Sequence, residues 1–344
     1  MALPAILLAE LLAWSLLRGG VWRKLGLGWQ FCLLVVASAG LVTLAVSGCR
    51  WFVRRRLQFG LRSLLSLVLL VGTSLGLIGM HLQHTEKQRR AALALEGIGA
   101  RVSYPGEQQP GLLTFVGRQY FQEPTALGYH QGPLREADLV NIESLTGLQF
   151  LSLENSRLSD DDLAHFASLN ELNSLALVRS RVTGQGLRHL TGTDLRSLYL
   201  CWSPIDDEGL RPMEQFSMLS VLNLNHTRIT DAGLVRISSL AGLWALYLDG
   251  TPITGDGFVH LRRLRHLDEI SLERSWLQNS GLAALRDLSA LTRLNISNTN
   301  IDDEGVEALC GMSRLKTLRL YGTSISEQGI HRLEQALPDC QILH

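Results

Sequence analysis

The chain has 344 residues, 46% of them hydrophobic and 19% charged, and its formal net charge is zero. That length allows two domains and a sizeable core. The neutral balance argues against a dedicated nucleic-acid binder, and a mean hydropathy of +0.12 with so few charges excludes a disordered chain.

The zero is the sum of two unlike parts. Residues 1–101 hold 12 Lys/Arg against Glu10, Glu86 and Glu96, a net of +9. Residues 102–344 hold 20 Lys/Arg and 29 Asp/Glu, a net of −9. Such asymmetry predicts two regions in different surroundings. The five cysteines show no CxxC or Cys/His spacing of a zinc site. Only a Cys310–Cys340 pair near the C-terminal end invites consideration as a disulfide.

The first region, residues 1–82, reads as membrane-embedded. Leu27 to Gly48 is an uncharged run of 22 residues, and Leu61 to Leu82 is interrupted only by Arg62 and His81. About 20 apolar residues in a helix cross a bilayer core with every backbone group satisfied. Two such runs around a short basic loop predict spans at 27–48 and 61–82. The segment 2–17 fits a short first span, an interfacial helix or a poor signal sequence. Trp14, Trp22, Trp29 and Trp51 stand near the segment ends, where interfacial rings are expected. The Arg54-Arg55-Arg56 cluster places the loop between the spans in the cytoplasm. The C-terminal domain then lies on the outer, periplasmic side of an inner (cytoplasmic) membrane.

Residues 83–123 form a connector. His84 to Gly97 has Ala91, Leu95 and Ile98 on one side and Glu86, Lys87, Arg89 and Arg90 on the other, a short amphipathic helix stopped by Gly97 and Gly99. Arg101 to Tyr104 predicts a strand, ended by Pro105-Gly106.

From residue 124 onward the chain repeats itself. The first leucine of each unit is Leu148, Leu172, Leu195, Leu219, Leu243, Leu267, Leu291 and Leu315, spaced by 24 residues except for one interval of 23. Each unit fits LxxLxLxx(S/T)x(I/V/L) followed by a helical run. A degenerate unit with Leu127, Tyr129, Leu134 and Leu139 precedes the eight good ones. The LxL pair alternates as in a strand with one buried face, and a single unit cannot bury its leucines alone. Stacked units predict an α/β solenoid with a parallel sheet on a concave face and helices on a convex face.

Three further columns recur. A hydroxyl follows each strand (Ser156, Ser180, Ser203, Thr227, Thr251, Ser275, Thr299, Thr323), read as buried groups bonding the turn. Ser159, Thr183, Asp206, Thr230, Thr254, Asp302 and Ser326 read as helix N-caps. Carboxylate clusters such as Asp160-Asp161-Asp162 and Asp302-Asp303-Glu304 recur with the repeat, so they are assigned to helix N-termini and the macrodipole, not to a metal or acid/base site. A glycine column from Gly186 to Gly329 lets neighbouring units pack closely.

These residues resemble the leucine-rich repeat family. The stretch Leu219 to Leu240 looks like cysteine-free relatives of the F-box-type repeat, although no F-box precedes it. The whole chain is similar to membrane-anchored leucine-rich repeat proteins of planctomycete-type bacteria, in which an Arg-rich stretch (here Arg54 to Arg62) precedes a span and a strand like Ala100 to Tyr104 leads into the repeats. The resemblance implies a curved solenoid that binds proteins or other ligands on its concave face. The Asn ladder of many family members is Ser/Thr here.

Residues between the strand leucines point away from the core. Repeats three to five place Tyr199, Asn223, Asn225, Tyr247 and Asp249 together, with Glu273 next in the row and Trp202 and Trp244 nearby. Exposed aromatics among a few polar groups are what binding hot spots use. No GxxxxGK, HExxH or GxSxG occurs, so neither an enzyme nor a cofactor or metal site is expected. The sequence thus predicts a membrane-anchored recognition module for a protein or cell-envelope ligand. The alternatives are a self-associating envelope scaffold and an adaptor that passes a signal through the spans.

Overall fold

The computed structural model describes residues 61–105 and 123–344. The chain divides into two compact units, Met1–Ala91 with Tyr104–Pro124, and Ala92–Ser103 with Thr125–His344. The expected segments 2–17 and 27–48, and most of the Pro/Gly/Gln loop, lie outside the described residues.

In the first unit the described chain is one helix, Leu61–Gly97, whose last residues belong to the second unit. The sequence predicts two helices here, divided near residue 83. They are continuous because Leu82-Gln83-His84 contains neither Pro nor Gly to interrupt the ladder. Among the described residues no helix is long and apolar enough to cross a membrane. The predicted span at 61–82 is therefore not established by this helix. Near its C-terminal part Glu86 bonds Arg89 Nε at 2.9 Å and Arg90 Nε at 2.8 Å. These guanidiniums hold the Glu86 carboxyl down at about 2. The helix stops at the expected glycines. Gly99 has φ +92°, and the Ala100 N–H returns to the Leu95 carbonyl at 3.0 Å.

The second unit is built on an 11-stranded sheet in simple chain order. β1 (Arg101–Ser103) is antiparallel to β2 (Ala126–Tyr129). All later pairs are parallel: β3 (Phe150–Leu153), β4 (Ser174–Ala176), β5 (Ser197–Tyr199), β6 (Val221–Asn223), β7 (Ala245–Tyr247), β8 (Glu269–Ser271), β9 (Arg293–Asn295), β10 (Thr317–Arg319) and β11 (Gln341–Leu343). Register partners repeat the sequence period, as in Leu222↔Leu246 and Leu246↔Ile270. The degenerate unit is a full turn, since Leu127 pairs with Leu151 and is buried. β11 adds a strand that the leucine pattern does not mark. The three leucine columns are buried from Leu148 to Leu320. Phe166, Phe216 and Phe258 fill the interior behind them.

The return paths correct one expectation. Four of them are 3-10 rather than α: Asp161–Phe166, Gln185–Leu190, Glu208–Gln215 and Asp256–Arg263. A 3-10 helix rises about 2.0 Å per residue against 1.5 Å for α, so a short segment spans the turn. Pro212 inside Glu208–Gln215 also removes a donor. True α turns occur at Leu234–Ile237, Asn279–Arg286, Val306–Cys310 and Glu327–Ala336.

The capping column needs a second correction. Thr230, Asp302 and Ser326 cap their own helices, and Asp206 accepts from the Gly209 N–H at 2.9 Å. Thr183 and Thr254 instead donate, through N–H and hydroxyl, to Asp160 and Asp231 of the preceding turn. The Ser159 N–H and hydroxyl donate within their own turn, to Asp162. The aspartates thus lace turn to turn; Asp160 also takes the Gly184 and Gly186 N–H, and Asp207 takes those of Thr230. Their role is structural: Asp160, Asp207 and Asp231 bond the next repeat's amides, while Asp206 and Asp302 serve the start of their own helices as expected. Cys201, Cys310 and Cys340 are free thiols, so the suggested Cys310–Cys340 disulfide is not formed.

The hydroxyl column follows the expectation. The Thr227, Thr251 and Thr299 hydroxyls donate to carbonyls three residues earlier at 2.6, 2.5 and 2.6 Å. Ser180 and Ser203 bond each other at 3.0 Å instead, and the buried Ser275 hydroxyl has no partner among the described residues.

Candidate functional site

Outward positions of successive strands form rows across the sheet face, since parallel strands stack in register at about 4.8 Å. Those rows carry most of the residues singled out from the sequence, and the structure sorts them into three groups.

The first group is a hydrogen-bonded network. The Asn225 side chain donates to Asp249 Oδ2 at 2.9 Å, and its Oδ1 accepts from the Asp249 N–H at 2.7 Å. Asp249 Oδ1 accepts from the Ser271 hydroxyl at 2.5 Å and the Glu273 N–H at 2.8 Å. Asn295 donates to Ser271 at 3.1 Å and to Glu273 at 3.4 Å. Asn223 joins from the other side, accepting the Asn225 N–H at 3.0 Å. Burial pushes the Asp249 carboxyl above its ordinary value, and neighbouring Glu273 adds to it; the bonds from Ser271, Glu273 N–H and Asn225 oppose the rise without cancelling it. A side chain can satisfy its hydrogen bonds and still carry an upward shift, because desolvation of the charge exceeds what neutral donors return.

The second group surrounds Tyr247. Its hydroxyl donates to Glu269 at 3.1 Å, and burial with the Glu269 charge pushes the phenol up to about 12. Arg293 lies over the exposed Trp244 ring at 4.6 Å and pairs with Asp268 at 2.6 Å and Glu269 at 2.9 Å. Tyr199 is half-buried on β5, three strands before β8, in register with Asn223, which in turn pairs with Tyr247.

The third group is off the sheet face. Trp202 is at the strand exit with φ +60°, and its ring stacks on His226 at 3.8 Å. Arg179 covers it at 5.5 Å. The Trp202 backbone N–H donates to the Asn225 carbonyl at 2.9 Å, so its ring stands at the strand exit next to the network.

Alternation puts Ser271 and Asn295 in the same outward column as Tyr247 without singling them out, and sequence reasoning missed Glu269 and Arg293; the four complete the first two groups. The strand-exit backbone was also missed: Asn155, Arg179, Trp202, His226, Gly250, Arg274, Asn298 and Gly322 all have positive φ, one per turn. Gly and Asn at half of those positions were the available signal, since both tolerate this region. Among the described residues, no three His, Cys, Asp or Glu side chains gather as a metal site.

Comparison with known proteins bears on the repeats. Residues 217–238 and 289–310 match the model for the leucine-rich repeat. A leucine-rich repeat protein of Leptospira interrogans is similar at 18% identity and TM-score 0.35, over 62% of this chain and 70% of that one. An internalin from Listeria monocytogenes is similar at 19% identity and TM-score 0.32, over 64% of this chain and 86% of that one. No curated protein matches. Two of the turns thus match the leucine-rich repeat, and the sheet sets one strand per turn through the repeated region.

Proposed function

We propose that this protein is a membrane-anchored recognition module, with the sheet face of its repeats capturing a protein or other cell-envelope ligand. Leucine-rich repeats suggest a protein-interaction module. The observation that carries the surface is the pre-bonded network of Asn225, Asp249, Ser271, Glu273 and Asn295, flanked by half-buried Tyr199 and Tyr247 and exposed Trp244. Side chains already fixed lose little freedom on binding, and aromatic anchors supply the contact area. The anchor is supported by the uncharged run 27–48 and its arginine flanks.

Affinity capture with the full chain tests the surface. A Tyr199→Ala/Tyr247→Ala variant of unchanged thermal stability loses the captured partner; equal capture by variant and wild type removes the sheet face as the binding surface. Self-association of the full chain with no other component favours the scaffold reading. Reporter fusions at Glu86 and His344 test orientation: both are active with a periplasmic reporter, and activity with a cytosolic reporter alone reverses the topology.

A further inference from the structure

Every repeat leaves its strand through the same short exit, with two outward residues on either side of the buried hydroxyl. Across eight turns, from Asn155 to Ser324, these sixteen positions hold five arginines and no carboxylate. The region from 102 to 344 nevertheless carries net −9. Arg157, Arg179, Arg181, Arg228 and Arg274 are all exposed. Interleaved with them are Trp202 and Trp276, exposed at 52% and 68%. Trp276 is the most exposed large apolar side chain among the described residues.

The carboxylates that could neutralise this edge are engaged elsewhere. Those next in the chain, Asp160, Asp207 and Asp231, turn into the amides of the following repeat. Asp249 is held by the sheet-face network; Glu273 approaches the edge, 3.7 Å from Arg274, and Glu154 at the first turn pairs with His130 at 3.3 Å. Strands stacked at about 4.8 Å make the exit row roughly 30 Å long. One edge of an acidic domain thus gathers arginine and aromatic side chains in turns one to four and six, with Gly250 and Pro252 between.

We propose that this strip docks on an anionic phospholipid headgroup layer. Guanidinium groups match phosphate in charge and in paired donor geometry. Indole rings settle at the headgroup level, where their apolar body and polar N–H are both accommodated. Arginines interleaved with aromatics could also serve single-stranded nucleic acid, which requires open ring faces for base stacking. The Trp202 ring is already engaged, stacked on His226 at 3.8 Å and approached by the Arg179 guanidinium at 5.5 Å from its centroid. The strip is distinct from the proposed ligand surface and does not depend on it.

Full-chain protein is floated with vesicles of brominated phosphatidylcholine, with or without phosphatidylglycerol, and tryptophan quenching is read. The difference between wild type and Trp202→Phe/Trp276→Phe isolates the two edge rings. They are quenched in phosphatidylglycerol vesicles, and this quenching is lost in phosphatidylcholine alone, at high salt, and in Arg179→Gln/Arg181→Gln/Arg228→Gln. Trp276→Phe alone, which changes no charge and no left-handed residue, gives the same reading should the triple variant misfold. Flotation with neutral vesicles reports the N-terminal anchor; lipid-dependent quenching reports the strip. Equal quenching in both lipids, no quenching in either, or arginine-dependent binding of a single-stranded oligonucleotide without lipid quenching overturns the proposal.

Discussion

Asp231 and Thr254 stand in successive repeats, and the carboxylate of the first accepts both the N–H and the hydroxyl of the second, at 2.9 and 2.8 Å. Its other oxygen takes the N–H groups of Gly255 and Gly257 at 3.0 and 2.9 Å. One side chain therefore ties down the start of the next return path. Asp160 does the same three repeats earlier, with Thr183, Gly184 and Gly186.

Removing that tie has a pH signature. Burial alone would raise the Asp231 carboxyl, but the amides of Gly257, Thr254 and Gly255 and the Thr254 hydroxyl together hold it below its ordinary value. A depressed carboxyl contributes stability that is complete above the unfolded-state value and is lost as pH falls through the folded-state one. Asp231→Ala is expected to cost about 2 kcal/mol at neutral pH, the scale of charge-assisted bonds to backbone. The difference from wild type in urea unfolding shrinks as pH falls below about 4. A difference that is constant with pH would assign the loss to packing.

Glycine at the next position is required for two reasons. Gly255 has φ +110°, a region that L side chains rarely enter, and a Cβ there would lie 2.5 Å from the Gly281 Cα of the following turn. Left-handed strain and overpacking each cost on the order of 1–2 kcal/mol. Gly255→Ala is expected to lose about 3 kcal/mol by thermal or urea unfolding. Gly242→Ala, where the new atom would meet the Leu219 and Ser217 carbonyls at 3.5 and 3.7 Å, ordinary contact distances, is the control with a small effect.

The repeat, its period and its buried hydroxyls were legible because each is a column of like residues with one physical task. Leu148 to Leu315 need burial, and Thr227, Thr251 and Thr299 need the carbonyl three residues back. The aspartate ties were not legible as such. Asp231 and Asp302 both precede helical turns, and only geometry shows that the first reaches forward to Thr254 while the second caps Glu304 at 2.9 Å. The candidate surface was half legible. Alternation puts Asn225, Asp249 and Glu273 on the sheet face, but Ser271 is also a member and its side chain is small enough to be overlooked. Trp202 is placed near the surface by its position in the repeat, and its left-handed backbone sets its ring at the strand exit beside His226, which periodicity alone does not show.

His165 supplies a tie of opposite sign on the return-path side. Its Nδ1 lies 3.0 Å from Glu143 and its Nε2 3.1 Å from Glu136, joining helix Glu136–Glu143 to the next turn. The hydrogen bond to Glu143, then the Glu136 charge, raise the imidazole above its ordinary 6.5 despite partial desolvation. A raised histidine contributes stability that is complete below the unfolded-state value and is lost as pH rises through the folded-state one. The Glu partners are substantially exposed, so the effect is modest. His165→Ala is expected to increase amide exchange in residues 136–143 at pH 6, with the difference closing as pH climbs above about 6.5. An increase that persists at high pH would mean that the ring's contacts matter rather than its charge.

Tyr247 offers a direct spectroscopic reading of the sheet face. Burial first, and then the Glu269 charge and hydrogen bond, push its phenol to about 12, beyond an ordinary tyrosine. In an alkaline absorbance titration of the full chain, one tyrosine is expected to ionise near pH 12, and Tyr247→Phe removes that step alone. Glu269→Gln takes away the negative charge at 3.1 Å while keeping an acceptor for the hydroxyl. The late step is then expected to move down toward the ordinary value of about 10 without disappearing, because burial still acts. Arg293 pairs with Glu269 at 2.9 Å and also with Asp268, so it keeps one carboxylate in the variant. A late step unmoved by Glu269→Gln would leave desolvation as the whole cause, and a downward shift fixes Glu269 as the group that orients Tyr247 at the centre of the proposed binding surface.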